Sequence, residues 1–350
     1  MIKQLRGAAL TILKRCGAFS LVKDSEWRQQ KLLILCYHGV SLEDEQKWRP
    51  SLYVSPQQLE RRLDILRERR CTVLALAEAL ERLYGKDLPP RSVVLTFDDG
   101  GYDFYKQAWP LLRRYGFPAT VYLTTYYSDL QRPVLKLMCS YMLWRARDMG
   151  RVNLNEFGIK LPVTLTSVES REEVVSQLLL WAARQDLNGE ERDLMAARLA
   201  ERLGIDYEML RQKRILHIMN PEEVKQLAAE GVDFQLHTHR HRTPSNEELF
   251  RREIRENRDS IAHAVAGKRE HFCYPSGAYQ PEFLGWLAKE EVVSATTCDT
   301  GFATPKSNPL LLPRLLDTSS RTDLEFESWV SGIGYFLSRR RRGQLAYVPD

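Results

Sequence analysis

A short buried strand that ends in two adjacent carboxylates constrains the fold of this chain more than any other feature. Residues 93–97 form an apolar run rich in β-branched side chains, which is typical of a strand buried on both faces. Asp98, Asp99 and two glycines follow directly. Because neighbouring carboxylates repel each other and are costly to bury, such a pair indicates a bound cation or a chemical role. An ordinary strand followed by an Asp-Gly turn is the alternative.

A second strand-like segment, residues 232–236, leads into three of the chain's seven histidines, His237, His239 and His241. Neutral histidine is the commonest side-chain ligand of transition metals. One aspartate with two histidines suits Zn²⁺ and leaves coordination positions open for water and substrate. The two segments therefore predict a metal centre.

The order of the predicted elements favours a parallel α/β barrel. Strand patterns alternate with helix patterns in the first third of the chain and return after residue 230. The strand patterns lie at residues 31–40, 71–76, 93–97, 119–123, 232–236, 292–297 and 310–316. In a parallel barrel the residues at the carboxyl ends of the strands meet at one rim. We expect the two carboxylates, the histidine cluster and His38 to meet there.

Residues 126–220 interrupt this order with helical patterns and little strand signal, so we predict a helical insertion between barrel strands. The predicted organisation has five segments. They are a basic amphipathic N-terminal helix (1–30), the first part of the barrel (31–125), the insertion (126–220), the second part of the barrel (221–335) and a basic C-terminal tail (336–350).

Composition bounds the partners and the location. A hydrophobic content of 43% and a charged content of 28% are those of a globular protein with a full core. The net charge of +5 is concentrated at the ends, so no nucleic-acid partner is expected. The basic N-terminal segment and the run Arg339–Arg342 suit peripheral contact with an anionic membrane. A helix packed on the domain and a solvated tail are the alternatives. With no clear signal peptide, we expect the protein in the cytoplasm or at the cytoplasmic face of the membrane.

Two motifs resemble those of the polysaccharide deacetylases, the NodB-type domains of carbohydrate esterase family 4. Residues 96–100, Thr-Phe-Asp-Asp-Gly, are similar to the family's first motif, and residues 237–241, His-Thr-His-Arg-His, fit its second, His-Ser/Thr-x-x-His. The resemblance implies a distorted (β/α) barrel. It also implies a divalent metal, most simply Zn²⁺, on Asp99, His237 and His241, with Asp98 as the general base.

Residues 271–277 are similar to the family's third motif, Arg-x-Pro-x-Gly, with Cys273 where many members have arginine. That arginine usually orients the catalytic aspartate, and we expect Arg314, at the end of a later strand pattern, to supply the charge instead. The motif implies four residues at the substrate groove, with backbone N–H groups around Ser276 as oxyanion donors. These residues are Tyr274, Pro275, Ser276 and Gly277.

The resemblance also implies a role for His38. In the poly-N-acetylglucosamine deacetylases, a branch of this family, a similar Tyr-His pair follows the first strand and supplies the general acid. Other members take that acid from a late Leu-His motif, but this chain has no histidine after His271. We therefore assign the general acid to His38, with a hydrogen-bonded structural histidine as the alternative.

The predicted function is a metal-dependent hydrolase that removes acetyl groups from an acetylated glycan, either a polysaccharide or a lipid-linked glycan. N-acetyl groups of amino sugars are expected by analogy with the family, and an O-acetyl ester would suit the same residues. Two other classes stay open: a catalytically weakened glycan-binding protein, and a scaffold of a polysaccharide assembly system at a membrane surface.

Overall fold

Seven parallel strands close into a barrel in the computed structural model, which describes residues 2–338. Each strand pairs with the next in chain order, and β1 pairs with both β2 and β7, which closes the ring. The strands are β1 Leu33–Tyr37, β2 Ser92–Asp99, β3 Thr120–Leu123, β4 Asp233–Leu236, β5 His271–Cys273, β6 Ser294–Thr300 and β7 Leu312–Leu316. The predicted (β/α) barrel is confirmed.

The register of these strands brings the candidate residues to one rim. Asp99 is in register with Leu123 of β3, and Leu123 is in register with Leu236 of β4, so His237 follows one residue beyond the height of Asp99. Tyr37 is in register with Phe97, which sets His38 level with Asp98. Because all seven strands run in the same direction, their carboxyl ends form a single mouth.

Helices and short strands complete the structure. The helices are α1 Ile2–Arg15, α2 Ala18–Lys23, α3 Glu26–Gln29, α4 Glu45–Trp48, α5 Pro56–Glu68, α6 Leu76–Gly85, α7 Trp109–Tyr115, α8 Tyr126–Leu130, α9 Leu135–Arg145, α10 Val168–Arg184, α11 Gly189–Arg202, α12 Tyr207–Gln212, α13 Pro221–Ala229, α14 Glu247–Ala264, α15 Pro281–Lys289, α16 Asp323–Ser331 and α17 Ile333–Leu337. Gly39–Val40 pairs with Tyr53–Val54, and Thr72–Val73 pairs with Ser92 and Val93 at the start of β2.

Local sequence explains where several of these helices begin. Ser55 caps α5 by accepting the N–H of Gln58, and Pro56 occupies the first turn. The helical segment after β2 starts as a wider π-helical turn, Phe104–Ala108, before α7. Pro110 has no N–H to donate within this segment, which disfavours a regular α-helical start.

The insertion has a hydrophobic core of its own, built mainly by α9, α10 and α11. It also contains an antiparallel hairpin, Arg151–Leu154 with Ile159–Thr164, which the sequence analysis did not predict. Its first strand alternates exposed and buried residues over only four positions, and this pattern is too short to stand out between long helices. The segment is therefore helical with one hairpin.

The N-terminal segment is three helices rather than the single predicted helix. Gly17, at φ 83°, separates α1 from α2, and Ser25 caps α3. Leu10 of α1 and Phe19 of α2 are buried against Ile333 of α17, so α1 packs on the domain. Within residues 2–338, no helix combines the length and apolar character that crossing a membrane requires.

The C-terminal tail was predicted to begin at residue 336, but α17 continues to Leu337. The basic run Arg339–Arg342 lies outside the described residues.

Candidate metal centre

Asp99 is turned toward the mouth of the barrel by an uncommon backbone conformation. It ends β2 with φ 69°, and Gly100 follows with φ 79°. Aspartate tolerates this left-handed region better than most residues, and glycine adopts it freely. Thr238 and His241 also have positive φ angles, 63° and 55°. Such conformations cluster where a fold holds side chains for a function.

The side chains of Asp99, His237 and His241 converge on one point. The Oδ1 atom of Asp99 lies 3.2 Å from Nε2 of His237 and 3.1 Å from Nε2 of His241. The three ligand atoms all lie within 4.8 Å of one another. The edge of a tetrahedral zinc site with oxygen and nitrogen ligands is about 3.3 Å, so the spacing fits a small divalent cation.

The hydrogen bonds of the three residues support the same interpretation. Nδ1 of His237 lies 2.8 Å from the carbonyl oxygen of Cys273, which can only accept, so Nδ1 carries the proton and Nε2 keeps a free lone pair. Oδ1 of Asp99 is buried, yet it accepts no hydrogen bond from the described residues. The residues present therefore fit a metal ion.

Asn257 of α14 holds His237 in place, and the sequence analysis missed it. Its side-chain oxygen accepts the backbone N–H of His237 at 2.9 Å, and its side-chain nitrogen donates to the carbonyl of Leu123 at 2.9 Å. A signal was present, because Asn257 falls on the buried face of α14 at helical spacing from Ile254 and Ile261. A polar residue in an apolar stripe indicates a buried hydrogen bond.

Asp98 is buried beside this centre and is paired with Arg314 of β7. The guanidinium donates Nη1 to Oδ1 at 2.7 Å and Nη2 to Oδ2 at 2.8 Å. Burial alone would raise the pKa of Asp98, but Arg314 outweighs it and holds that pKa well below its usual range. Arg314 thus lies where the sequence analysis expected a replacement for the motif arginine.

Cys273 lies at the same place. Its sulfur is 3.5 Å from Oδ2 of Asp98 and 3.1 Å from Nη2 of Arg314. Cys36 lies 3.4 Å from the same carboxylate oxygen. These contacts fill the space around Asp98 with two thiols and one guanidinium.

His38 is close to Asp98 and opens to the mouth of the barrel. Its Nε2 lies 3.8 Å from Oδ2 of Asp98, and about a fifth of its side chain is exposed (19%). Burial lowers the pKa of His38, although the negative charge of Asp98 opposes this. His38 is therefore neutral at neutral pH. It lies outside the group of Asp99, His237 and His241, and its ring nitrogen is close to donor atoms of Cys36 and Asp98 instead.

The residues of the third motif have different surroundings from one another. Pro275–Gly277 forms a single helical turn after β5, and Ser276 is exposed with φ 57°. The Tyr274 side chain is fully buried and its hydroxyl donates to the Leu310 carbonyl at 3.2 Å. The Tyr274 ring therefore packs inside the barrel, and the place of Tyr274 at the substrate groove stays a prediction. The oxyanion role of the backbone around Ser276 stays a prediction.

Fold and site together define a class: parallel (β/α) barrels that carry an aspartate–histidine metal centre at the carboxyl ends of their strands. The sequence profile of the polysaccharide deacetylase family matches residues 85–148 and 203–293. Residues between these two matches lie inside the insertion. Over these two segments the chain is similar to the polysaccharide deacetylase family, of the NodB type.

Individual relatives agree with this assignment. The poly-beta-1,6-N-acetyl-D-glucosamine N-deacetylase of Escherichia coli K12 is 33% identical over 101 residues, which are 29% of this chain and 15% of that protein. The Streptococcus pyogenes deacetylase PplD, solved in complex with acetate, is 19% identical with a TM-score of 0.54 and covers 83% of this chain and 94% of its own. IcaB from Ammonifex degensii is 17% identical with a TM-score of 0.54, and the match covers 87% of this chain and 98% of the IcaB chain. At these identities the two structures show the shared fold.

Proposed function

We propose that this chain is a metal-dependent deacetylase that removes N-acetyl groups from the amino sugars of a glycan. The observation that carries the proposal is the convergence of Asp99, His237 and His241 on one point, beside a buried and ionised Asp98. A divalent metal held there supplies Lewis-acid polarisation of a carbonyl and lowers the pKa of water.

Asp98 is placed to take a proton from the attacking water as the general base. The pairing with Arg314 keeps it ionised and fixes its orientation, at some loss of basicity. Backbone N–H groups near Ser276 are the candidate donors for the oxyanion that develops on the acetyl carbonyl.

His38 supplies the proton that the departing amine requires. An amide anion is a poor leaving group, so C–N cleavage depends on protonation of the nitrogen. Because burial keeps His38 neutral, its extra proton has to arrive during the reaction. Asp98 lies 3.8 Å away, so it can pass a proton to His38 through a bridging water or after the two groups close to hydrogen-bond distance. Asp98 and His38 would then carry one proton from water to amine.

The finer identity of the substrate and of the metal is part of the proposal. The E. coli relative is named for N-deacetylation of poly-β-1,6-N-acetylglucosamine, and an acetylated amino-sugar polymer or a lipid-linked glycan is proposed here by analogy. Zn²⁺ is proposed because it suits one carboxylate and two imidazoles. The complete Asp-His-His set gives no support to a binding protein without activity. Membrane contact and location at the cytoplasmic face stay predictions.

Acetate release from N-acetylglucosamine oligomers tests the proposal. The metal-stripped protein is expected to be inactive and to regain activity with one equivalent of Zn²⁺. Asp98→Asn is expected to bind the same amount of Zn²⁺ by metal analysis and to lose at least 100-fold in kcat, since general-base catalysis contributes about 10²–10⁴-fold. Acetate release that persists at full rate after metal removal, or in Asp98→Asn, would contradict the mechanism.

A further inference from the structure

Asp103 is a buried carboxyl group that the proposed mechanism does not use. It lies four residues after Asp99, and 8% of it is exposed. It belongs to none of the possible metal-binding groups among the described residues. Burial, together with the nearby Glu45 carboxylate, raises the pKa of Asp103 to about 8, so the group is neutral at neutral pH. Burying a carboxyl group costs free energy unless it is hydrogen-bonded, so a contact that offsets this cost is expected.

The contact that Asp103 makes is with the turn that carries His38. Its Oδ2 atom accepts the N–H of Val40 at 2.5 Å. The neighbouring amides of Gly39 and Ser41 donate to the carbonyls of Leu52 and Val54 instead. Since the Val40 N–H points to the other side of this short strand and Val40 is buried, Asp103 satisfies a donor that water does not reach.

Two glycines leave the space that this carboxyl group occupies. A Cβ atom added to Gly101 would lie 2.1 Å from Oδ1 of Asp103. One added to Gly39 would lie 2.1 Å from Cε1 of Tyr53 and 2.7 Å from Oδ2 of Asp103. Neither glycine has a positive φ angle, so its backbone conformation does not require glycine. The space for the carboxyl group requires glycine at position 101, and the Tyr53 ring and the carboxyl group together require it at position 39. Asp103 therefore joins the turn after β1 to the turn after β2 at a fitted position.

The orientation of the His38 ring depends on the position of its own backbone. Its Nδ1 atom is buried and has no hydrogen-bond partner among residues 2–338, and its Nε2 atom is 3.8 Å from Asp98, too far for a hydrogen bond. The ring thus has no strong bond of its own to fix it. The Val40 N–H that Asp103 binds lies two residues after His38 in the chain.

We propose that Asp103 is a positioning residue that holds the His38 imidazole at the distance from Asp98 and substrate that proton delivery needs. This inference rests on the proposed deacetylase function and on the general-acid role of His38. It predicts that losing the carboxyl group impairs the step that requires an acid and spares metal binding.

The test compares two substrates in Asp103→Ala and Asp103→Asn. One substrate is an N-acetylglucosamine oligomer, and the other is an activated aryl acetate whose leaving group needs no proton. Asp103→Ala is expected to lower the ratio of amide to ester turnover at least tenfold, in the same direction as His38→Ala, with one Zn²⁺ still bound per chain. Asp103→Asn keeps a neutral acceptor for Val40 and is expected to stay within threefold of the wild type.

Two further variants guard against a general loss of structure. Gly101→Ala keeps Asp103 but displaces its carboxyl group, and the same fall in the ratio is expected. Lys213→Ala breaks an exposed ion pair with Glu43, in the same segment as His38, and is expected to leave the ratio unchanged. A merely structural Asp103 would lower thermal stability in Asp103→Ala with no change in the ratio, and that result, or equal losses in Asp103→Asn, would overturn the proposal.

A readout without turnover separates this proposal from the proposed function. The imidazole NMR signals of His38 in the metal-free protein are expected to shift and broaden in Asp103→Ala and to stay in place in Asp103→Asn. Unmoved signals in Asp103→Ala would overturn the positioning role. Absence of acetate release by the wild type on both substrates would instead reject the deacetylase function.

Discussion

Replacing Arg314 by methionine is the sharpest test of how the site keeps Asp98 ionised. The two side chains are 1% and 3% exposed, so the change leaves a carboxylate buried without its partner. Removing one member of a buried ion pair costs about 3–5 kcal/mol. Since one pKa unit equals about 1.36 kcal/mol, this loss of free energy corresponds to a rise of about 2–4 units in the pKa of Asp98. The acid limb of the kcat/KM profile should move to higher pH by the same amount.

The stability of the variant has a defined pH dependence. In the wild type the lowered pKa of Asp98 contributes stability above the pKa of the unfolded chain, and this is lost only as the pH falls through the lower folded value. In Arg314→Met the higher folded pKa removes this contribution, so the stability lost relative to the wild type grows as the pH rises and Asp98 becomes ionised. The free energies of unfolding of the two proteins, measured in urea at pH 4 and pH 8, should therefore differ most at pH 8.

Arg62→Met is the matched control, because Arg62 is also fully buried and donates to the buried Asp317 at 2.8 Å, outside the candidate site. It should lose comparable stability without moving the acid limb. Cys273→Arg added to Arg314→Met should restore part of the profile, since the Cys273 sulfur is 3.5 Å from Asp98. An acid limb that stays within half a unit of the wild type in Arg314→Met would refute the reasoning.

Three further predictions concern single residues. His237→Ala should bind no Zn²⁺ by metal analysis and show no turnover, and stoichiometric binding would place the metal elsewhere. His38→Ala should slow the N-acetyl substrate by about 10²–10⁴-fold, far more than an activated acetyl ester, and equal losses would remove His38 from the acid role. Because the pKa of Asp103 is raised to about 8, its contribution to stability is lost as the pH rises from about 4 to about 8. Asp103→Asn should flatten that loss in urea unfolding, and an unchanged slope would contradict the raised pKa.

The barrel and the convergence of the three candidate ligands could be predicted because their signals are local. A strand that ends in two carboxylates, and a turn with three histidines, each lie within about ten residues, and the parallel barrel rule brings strand ends together. The pairing of Asp98 with Arg314 could be suspected only from the cysteine in the third motif, since it joins residues 216 positions apart.

Other features had a weaker signal or none. The roles of Asn257 and Asp103 come from tertiary packing: one is a polar residue in a helix stripe, and the other fills a gap between two glycines. The hairpin of the insertion was missed because four alternating residues are below the length at which period two is distinctive.

The place of Arg314 on the last strand has a consequence for how the protein matures. During synthesis β2 emerges more than 200 residues before β7, so Asp98 has no guanidinium partner until β7 has left the ribosome. Closing the ring joins strands that are distant along the chain, which is a slow event in folding. Ring closure and pairing of Asp98 with its cation therefore coincide, and a nascent or truncated chain without residue 314 would leave this carboxylate without the guanidinium that orients it.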